Sequence, residues 1–550
     1  MLYFVKLVLQ RFRMYHTKHI LRQSLLHLIM LSKKKISVGG RLYLSDIALF
    51  LGGNISISMS KEVLKRVVIS KKCLDSVSSK EIIYGVNTGF GPMAQTYIRP
   101  PKQQELQYNL VRSHAVGQGA PLDRRFVRVM MLLRLHTLAQ GFSGVSPGVL
   151  YGLKDFIEKD IVPVVFEHGS VGASGDLVQL AHIALALIGE GEVFMEGKRV
   201  KTSVALKKHK LKPIKLTSRD GLALINGTSA MTAISAINII EGEQLAALAT
   251  TSSALLFEIV GANIENIHPL ISRVRPHKGQ SETAKLLGTL LKGSRLIKNR
   301  THRALPAAGS EDTSPLEKVV QEIYSLRCAP QIIGPVVDTL AFAKEITETE
   351  INSVTDNPII SPKHGVLHSG NFHGDYVALE MDKLKIAVTK LSLLLERQIN
   401  FLCNPRLNGI LPPFVTQGTP GLDLGFQGLQ FVATSNAAEN QALSTPMSVH
   451  SIPTNNDNQD IVSMGTNAAF MTNTVIENTY QIQAILCAAI LQAVDYLGIK
   501  RELGKGTRHA YEMMRRIFPF FKKDYPLLYA DITALSGEIK RLAIRRYQHP

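Results

Sequence analysis

Two segments of this chain hold almost no residue that breaks a helix. Thr466 to Leu497 contains neither Gly nor Pro, and Thr228 to Val260 contains Gly242 alone. At 1.5 Å rise per residue each segment predicts a helix around 45 Å long. Helices of that length hold their shape by burying faces against one another, so they restrict the chain to a mainly α architecture built round a long central bundle. The segment Asp375–Asn400 agrees, with Val377, Met381, Leu384, Val388, Leu391 and Leu395 recurring at three- and four-residue spacing. Ala246, Ala247, Ala249, Ala254, Ala488 and Ala489 permit close approach of such helices, within one chain or between copies of it.

Ahead of these segments the texture differs. From Ile36 to about Leu224 the chain is punctuated by Gly and Pro, with short apolar pieces such as Ile161–Phe166. This predicts four parts: a basic extension at 1–35, a loop-rich N-terminal domain at 36–225, the long-helix bundle at 226–498, and a C-terminal helical segment at 499–550. The extension mixes Leu, Ile and Val with Lys, Arg and His and has no acid, as membrane-surface or targeting segments do. Met14 and Met30 are alternative starts, so it reads as an addition to the fold. The basic tail Lys540–Arg546 reads as a solvated helix end.

The net charge of +19 raises the question of nucleic acid. Its distribution answers against it, because nine Lys and Arg precede the first acid, Asp46, and the remainder is only mildly basic. No apolar run reaches the ~18 residues of a membrane span, since Glu258 and several Thr and Ser interrupt even Leu245–Ile264. Cys73, Cys328, Cys403 and Cys487 lie too far apart for a metal-ligand pattern. They read as reduced, buried thiols of a cytoplasmic protein without a metal.

The chemistry is concentrated in His168-Gly-Ser-Val-Gly-Ala-Ser-Gly-Asp176, where glycines and small residues let the backbone fold back on itself. In a tight Ala173-Ser174-Gly175 bend the Gly175 nitrogen can attack the Ala173 carbonyl. Loss of water then gives a five-membered ring carrying a dehydrated Ser174, which is an electrophile. Asp176 suits either a helix N-cap or an aid to that cyclisation.

In this setting Ala173-Ser174-Gly175 resembles the self-processing triad of the aromatic amino acid ammonia-lyases, the histidine, phenylalanine and tyrosine lyase family. Tyr84-Gly-Val-Asn-Thr-Gly-Phe-Gly91, Asn226-Gly-Thr-Ser229, Tyr324-Ser-Leu-Arg327-Cys, Gly370-Asn-Phe-His373 and Gln459-Asp-Ile-Val-Ser-Met-Gly465 follow in the family's order. Alone, each string is ordinary: Asn-Gly is a common turn and an Arg after Ser-Leu is commonly a surface ion pair. As an ordered set running from about Ile36 to near Gly498 they are specific.

The resemblance implies an ammonia-lyase/fumarase-like helical fold and a 4-methylidene-imidazole-5-one (MIO) group made from Ala173, Ser174 and Gly175, with no external cofactor. It implies Tyr84 as the base that removes a β-proton, which a phenol can do only where its site favours the ionised form. Arg327 would hold the substrate carboxylate in its planar fork. Asn226 and Tyr324 would hydrogen-bond the ring or the amino group. Phe372 is placed beside the ring, and Gln459 with the substrate. A homotetramer is implied, with active sites drawn from three subunits.

Substrate choice should lie at Ser113-His114, which resembles the pair of histidine lyases. Gln321 and Glu439 match positions that hold imidazole, and a carboxylate beside a ring N–H is a charge-assisted contact. The stretches Gly89–Gln95, Asn371–Tyr376 and Ser451–Gln459 instead resemble a bacterial branch that includes tyrosine lyases, and His114 can meet a phenol as well as an imidazole. L-Histidine to urocanate is slightly favoured, with L-tyrosine to p-coumarate the alternative. An aminomutase using the same electrophile stays open. A non-catalytic helical scaffold would have no need of Tyr84, Ser174 and Arg327 together.

Overall fold

The computed structural model describes residues 34–53, 55–298, 313, 320–419 and 421–548, with 543–548 through their backbone only. The basic extension thus lies outside the described residues except for Lys34 and Lys35, which open the strand Lys34–Ser37. That strand pairs in parallel with Ile55–Ser58.

The fold is mainly helical. Its principal helices are α1 (Lys61–Ser78), α2 (Pro100–His114), α3 (Arg124–Ala139), α4 (Leu177–Leu187), α5 (Ser229–Val260), α6 (Lys278–Leu290), α7 (Ala329–Ile351), α8 (Asp375–Cys403), α9 (Gln427–Leu443), α10 (Gly465–Leu497) and α11 (Leu528–Gln548). The two segments poor in breakers became α5 and α10, each beginning within one residue of the expected position. Val377, Met381, Leu384, Val388, Leu391 and Leu395 of α8 are all fully buried.

The bundle is built on α10, which packs against α5, α8 and α9, while α7 bridges α5 and α8. Both α5 and α10 are buried on nearly every side, so neither has a solvent face to mark its orientation. By length and composition α10 would suffice to cross a membrane, but 78% of its apolar window is buried inside the molecule. The interruptions named in the sequence lie in α5; the apolar character of α10 is accounted for by its packing in the core.

The C-terminal helix α11 lies on α10, α5 and the short helix Leu44–Leu51. Here the sequence expectation is corrected at Lys540, which is not solvated, while Arg541 is exposed as expected. Lys540 is 17% exposed and its Nζ pairs with Glu477 and, at 3.3 Å, with Glu241. Arg125 of α3 closes on the same Glu241 at 2.8 Å. Of the four thiols, all free, Cys403 and Cys487 are buried while Cys73 and Cys328 are half-buried.

The N-terminal part carries small sheets round α1 to α4. Gln118–Pro121 pairs antiparallel with Phe166–His168, and Val162–Pro163, Glu192–Met195 and Lys198–Lys201 form a three-stranded sheet in that order. A hairpin of Ile359–Ser361 with Gly365–Leu367 packs onto α1, where Leu74, Ile83, Val86 and Ile360 form a separate small core. The strand Phe166–His168 leads into the loop at 168–176 and α4 leads out of it, and the N-terminal ends of α5, α8 and α10 meet it.

Candidate active site

Phe166–His168 leads directly into the small-residue loop. Ser174 and Gly175 adopt consecutive left-handed conformations, φ +59° and +70°, and reverse the backbone. Gly175 pairs with Gly227, and a Cβ at 175 would stand 2.1 Å from the Gly227 carbonyl oxygen, so glycine alone fits there. The next amide, Asp176 N–H, donates to that carbonyl at 2.8 Å.

Asp176 then locks the loop to two helices. One carboxylate oxygen accepts from Ala230 N and Met231 N, 2.8 and 2.9 Å, at the start of α5; the other accepts from Ser170 Oγ at 2.9 Å and Thr466 Oγ1 at 2.5 Å, the latter at the start of α10. As an N-cap the residue is misplaced by the sequence: Asp176 makes no side-chain cap on α4, which it precedes, and its carboxylate caps α5 instead. Burial raises its carboxyl above the ordinary range, against the four donated hydrogen bonds and the favourable helix termini.

On the outer side, Ser463 Oγ donates to Gly172 O at 3.1 Å, and Gly374 N donates to the same oxygen at 3.2 Å. Gln459 Nε2 donates to Ser174 Oγ at 3.0 Å. Phe372, half-buried, stands two residues before that Gly374 contact.

Asn226 is the residue before the glycine that meets Gly175. It is 2% exposed, and its Nδ2 donates to Asn357 O at 2.9 Å. Its Oδ1 is buried with no hydrogen-bond partner among the described residues. The turn that holds it rests on two fully buried arginines. Arg134 Nε donates to Ala223 O at 2.9 Å, and Arg219 pairs with Asp356 at 2.8 Å and donates to Asn357 O at 3.0 Å. Two cations surround one buried carboxylate and backbone carbonyls take several of their donors, while Arg219 Nε and Nη1 are buried without a hydrogen-bond partner among the described residues.

Tyr84 sits in a turn beside this support. Its Oη accepts from Gly91 N at 3.0 Å, and its ring meets Phe90 edge-on at 6.3 Å. Gln107 of α2, fully buried, donates to Gly85 O at 3.0 Å and accepts from Leu222 N at 2.9 Å. One side chain thereby joins the Tyr84 turn to the segment leading into Asn226.

His114 ends α2. Its Nδ1 lies 2.9 Å from Leu110 O and 3.0 Å from Ser113 Oγ. A carbonyl only accepts, so the Nδ1 carries the hydrogen and Nε2 of the neutral ring is left as an acceptor. Burial lowers its pKa, partly offset by the Leu110 bond, which keeps the ring neutral.

The remaining sequence candidates are elsewhere in this chain. Gln398 of α8 donates to Ser253 Oγ of α5 at 3.0 Å and to Ser325 O at 2.9 Å, fixing the Tyr324–Arg327 turn between them. Ser253 is some 24 residues along α5 from Ser229, and Gln398 some 23 along α8 from Asp375, so both helices put Tyr324 and Arg327 about 35 Å from the loop. Arg327 lies over the Tyr324 ring at 4.8 Å, Tyr324 is 69% exposed, and Gln321 is exposed close by. Glu439, also exposed, accepts from Asn478 Nδ2 at 2.8 Å, roughly 20 Å along α10 from its start. One chain therefore gathers Tyr84, His114, Ala173, Ser174, Gly175, Asn226, Phe372 and Gln459 on one side, and leaves Gln321, Tyr324, Arg327 and Glu439 on distant surfaces.

Sequence reasoning missed Gln107, Arg134, Arg219, Asp356 and Asn357. Only Asp356-Asn-Pro358 carries a local signal, as a turn. The buried arginines look like surface residues until their partners, 89 and 137 positions away, are in place.

Comparison with known proteins identifies the family. The chain matches the profile of the aromatic amino acid lyases over residues 42–516. It is 40% identical to histidine ammonia-lyase of Treponema denticola, covering 90% of this chain and 94% of that one, and 39% identical to tyrosine 2,3-aminomutase of Chondromyces crocatus, covering 91% and 95%. The crystal structure of tyrosine aminomutase from Streptomyces globisporus superimposes with a TM-score of 0.88 at 34% identity, covering 94% and 98%. The chain belongs to the aromatic amino acid lyase family, and with it to the carbon–nitrogen lyases.

Proposed function

We propose that the protein is a histidine ammonia-lyase, converting L-histidine to urocanate and ammonia with an MIO ring formed from Ala173, Ser174 and Gly175. The observation that carries the ring is the left-handed Ser174–Gly175 turn sealed against Gly227, with the unpartnered Asn226 Oδ1 beside it. These residues fit the group: the turn is already reversed, and a buried acceptor has no protein donor. When present, the ring supplies the electrophile that makes ammonia a leaving group.

The chain's own side chains do the rest. Tyr84 Oη, as the phenolate, takes the β-proton, with the Gly91 N–H donating to the oxygen that carries the negative charge before the transfer. Asn226 and Gln459 hold polar groups at the ring's edge. Phe372 closes the apolar side. Arg327 binds the substrate carboxylate, with Tyr324 beside it.

The separation of about 35 Å means that Arg327 and Ser174 of one chain serve different sites, so the reading requires self-association. A homotetramer in which a second copy brings Gln321, Tyr324 and Arg327, and a third brings Glu439, satisfies it. Exposed apolar residues favour such an assembly: Tyr376, Leu379 and Ile386 stripe α8, and Phe431 and Val432 lie on α9.

Histidine is favoured by the relatives at about 40% identity and by His114, whose Nε2 asks the substrate ring for a hydrogen-bond donor. Imidazole N–H meets it and phenylalanine cannot. A tyrosine substrate, deaminated or converted to a β-amino acid, is the second reading, favoured by the likeness to tyrosine aminomutase. Incubating the purified protein separately with L-histidine and L-tyrosine decides: urocanate absorbance is expected from the first. p-Coumarate or β-tyrosine without urocanate would replace the histidine reading.

A further inference from the structure

Tyr84 belongs to no helix or strand, so something other than secondary structure must set its position. Its neighbours Ile83 and Val86 are buried against Leu74 and Ile360, which fixes the turn on α1 and the 359–367 hairpin but not the rotation of the tyrosine within it. The hairpin ends at Leu367, and the next residue, His368, accepts the Tyr84 backbone N–H on Nε2 at 3.2 Å. The residue after that, Ser369, donates its amide to Asn357 Oδ1 at 2.7 Å. The Asn357 carbonyl in turn accepts Asn226 Nδ2 at 2.9 Å. Two consecutive residues at the end of one short hairpin thus hold Tyr84 on one side and, through Asn357, Asn226 on the other.

We infer that His368 is a positioning residue for Tyr84, setting its register against Asn226 across the reacting centre. This rests on the reading of Tyr84 as the base. The chemistry required of position 368 is narrow: an acceptor at the distance of Nε2, because the group it meets is an N–H. His368 is exposed, and Tyr84 keeps its other supports, the Gln107 bond to Gly85 O and the apolar contacts of Ile83 and Val86, when that acceptor is removed. Losing it loosens the alignment of one side chain and leaves the fold intact. Misplacement of a catalytic group by about 1 Å can cost on the order of a hundredfold in rate.

The test uses the full-length protein with Tyr84→Phe, His368→Ala and His368→Gln, assayed with whichever amino acid the unaltered protein converts and with that substrate deuterated at the β-carbon. Tyr84→Phe should lose at least about a thousandfold in kcat. His368→Ala should lose about ten- to a hundredfold in kcat with KM within about threefold, and show a larger deuterium isotope effect while its near-ultraviolet ring absorbance and Tm stay as they were. His368→Gln carries an amide oxygen close to the place of Nε2 and should recover kcat to within about threefold of the unaltered protein. An unchanged kcat in His368→Ala would overturn the inference and leave the base reading standing. So would a loss accompanied by lower Tm or absorbance, or an equal loss in both His368 variants. Full activity in Tyr84→Phe would overturn the base reading and the inference together.

Discussion

Asp176 holds the loop by two kinds of contact, and substitutions can separate them. Toward α5 it meets backbone N–H groups, which only donate; toward Ser170 and Thr466 it meets hydroxyls, which can rotate and accept. Asp176→Asn can keep its carbonyl toward Ala230 and Met231 and turn its amide toward the hydroxyls. Asp176→Ala orphans two buried donors at a helix terminus and should cost about 2–5 kcal/mol, with loss of the near-ultraviolet band expected of the proposed ring. Melting and absorbance of the two variants check this; an Asn variant as damaged as the Ala variant would mean that the charge itself is needed. Two histidines, His136 buried and His182 half-buried, give a second prediction. His136 Nδ1 accepts from Gly39 N at 3.1 Å and His182 Nε2 from Gly117 N at 3.0 Å, and burial pushes both rings down to about 4. The unfolded chain, with histidines near 6.5, takes up these protons first. Stability is therefore full above about pH 6.5, falls as pH drops toward about 4, and levels below, by on the order of 1–3 kcal/mol per ring after allowance for solvent. The Tm should fall between pH 7.5 and 5, and less so in His182→Gln; equal slopes would remove His182 from the account.

At the scale of elements, the length of α5 and α10 was legible because breakers are absent, and their neighbours were not. A helix with one apolar stripe announces which face is buried, as α8 did through Val377 to Leu395. A helix buried all round announces only that it is central. The cost of a cavity in such a helix should accordingly be large: Leu486 of α10 is fully buried, and Leu486→Ala should destabilise the fold by about 2–5 kcal/mol, read as a lower midpoint in denaturant with an unchanged slope. The candidate site divides in the same way. Ala173-Ser174-Gly175, Asn226 and Tyr84 were legible because small-residue loops and ordered strings are local. Asp176's true helix, Gln107's double role and the Arg134–Arg219–Asp356 support were not, since each depends on residues brought together from different parts of the chain. The Lys540 contact with Glu241 failed for the same reason, a charge run reading as solvated until α11 is laid on α5 and α10.

For the whole molecule, the decisive quantity is the distance of about 35 Å between Ser174 and Arg327, set by two stiff helices that run side by side from the loop to the Tyr324–Arg327 turn. No side-chain movement closes it, and bending both helices would break a core in which α5, α8 and α10 are packed together. If both residues act on one substrate molecule, they come from two copies. Ser174→Ala and Arg327→Ala should each be inactive alone, yet mixed oligomers made by co-expression should regain activity. In a random mixture the chain supplying Ser174 is intact at that position half the time, and the chain supplying Arg327 likewise, so about one quarter of the sites are whole. A site confined to one chain gives none, because every chain carries one defect. Recovery near a quarter of the unaltered activity, in particles larger than one chain by light scattering, is the expected result; absence of recovery in particles shown to contain both variants would place Arg327 outside the site that holds Ser174.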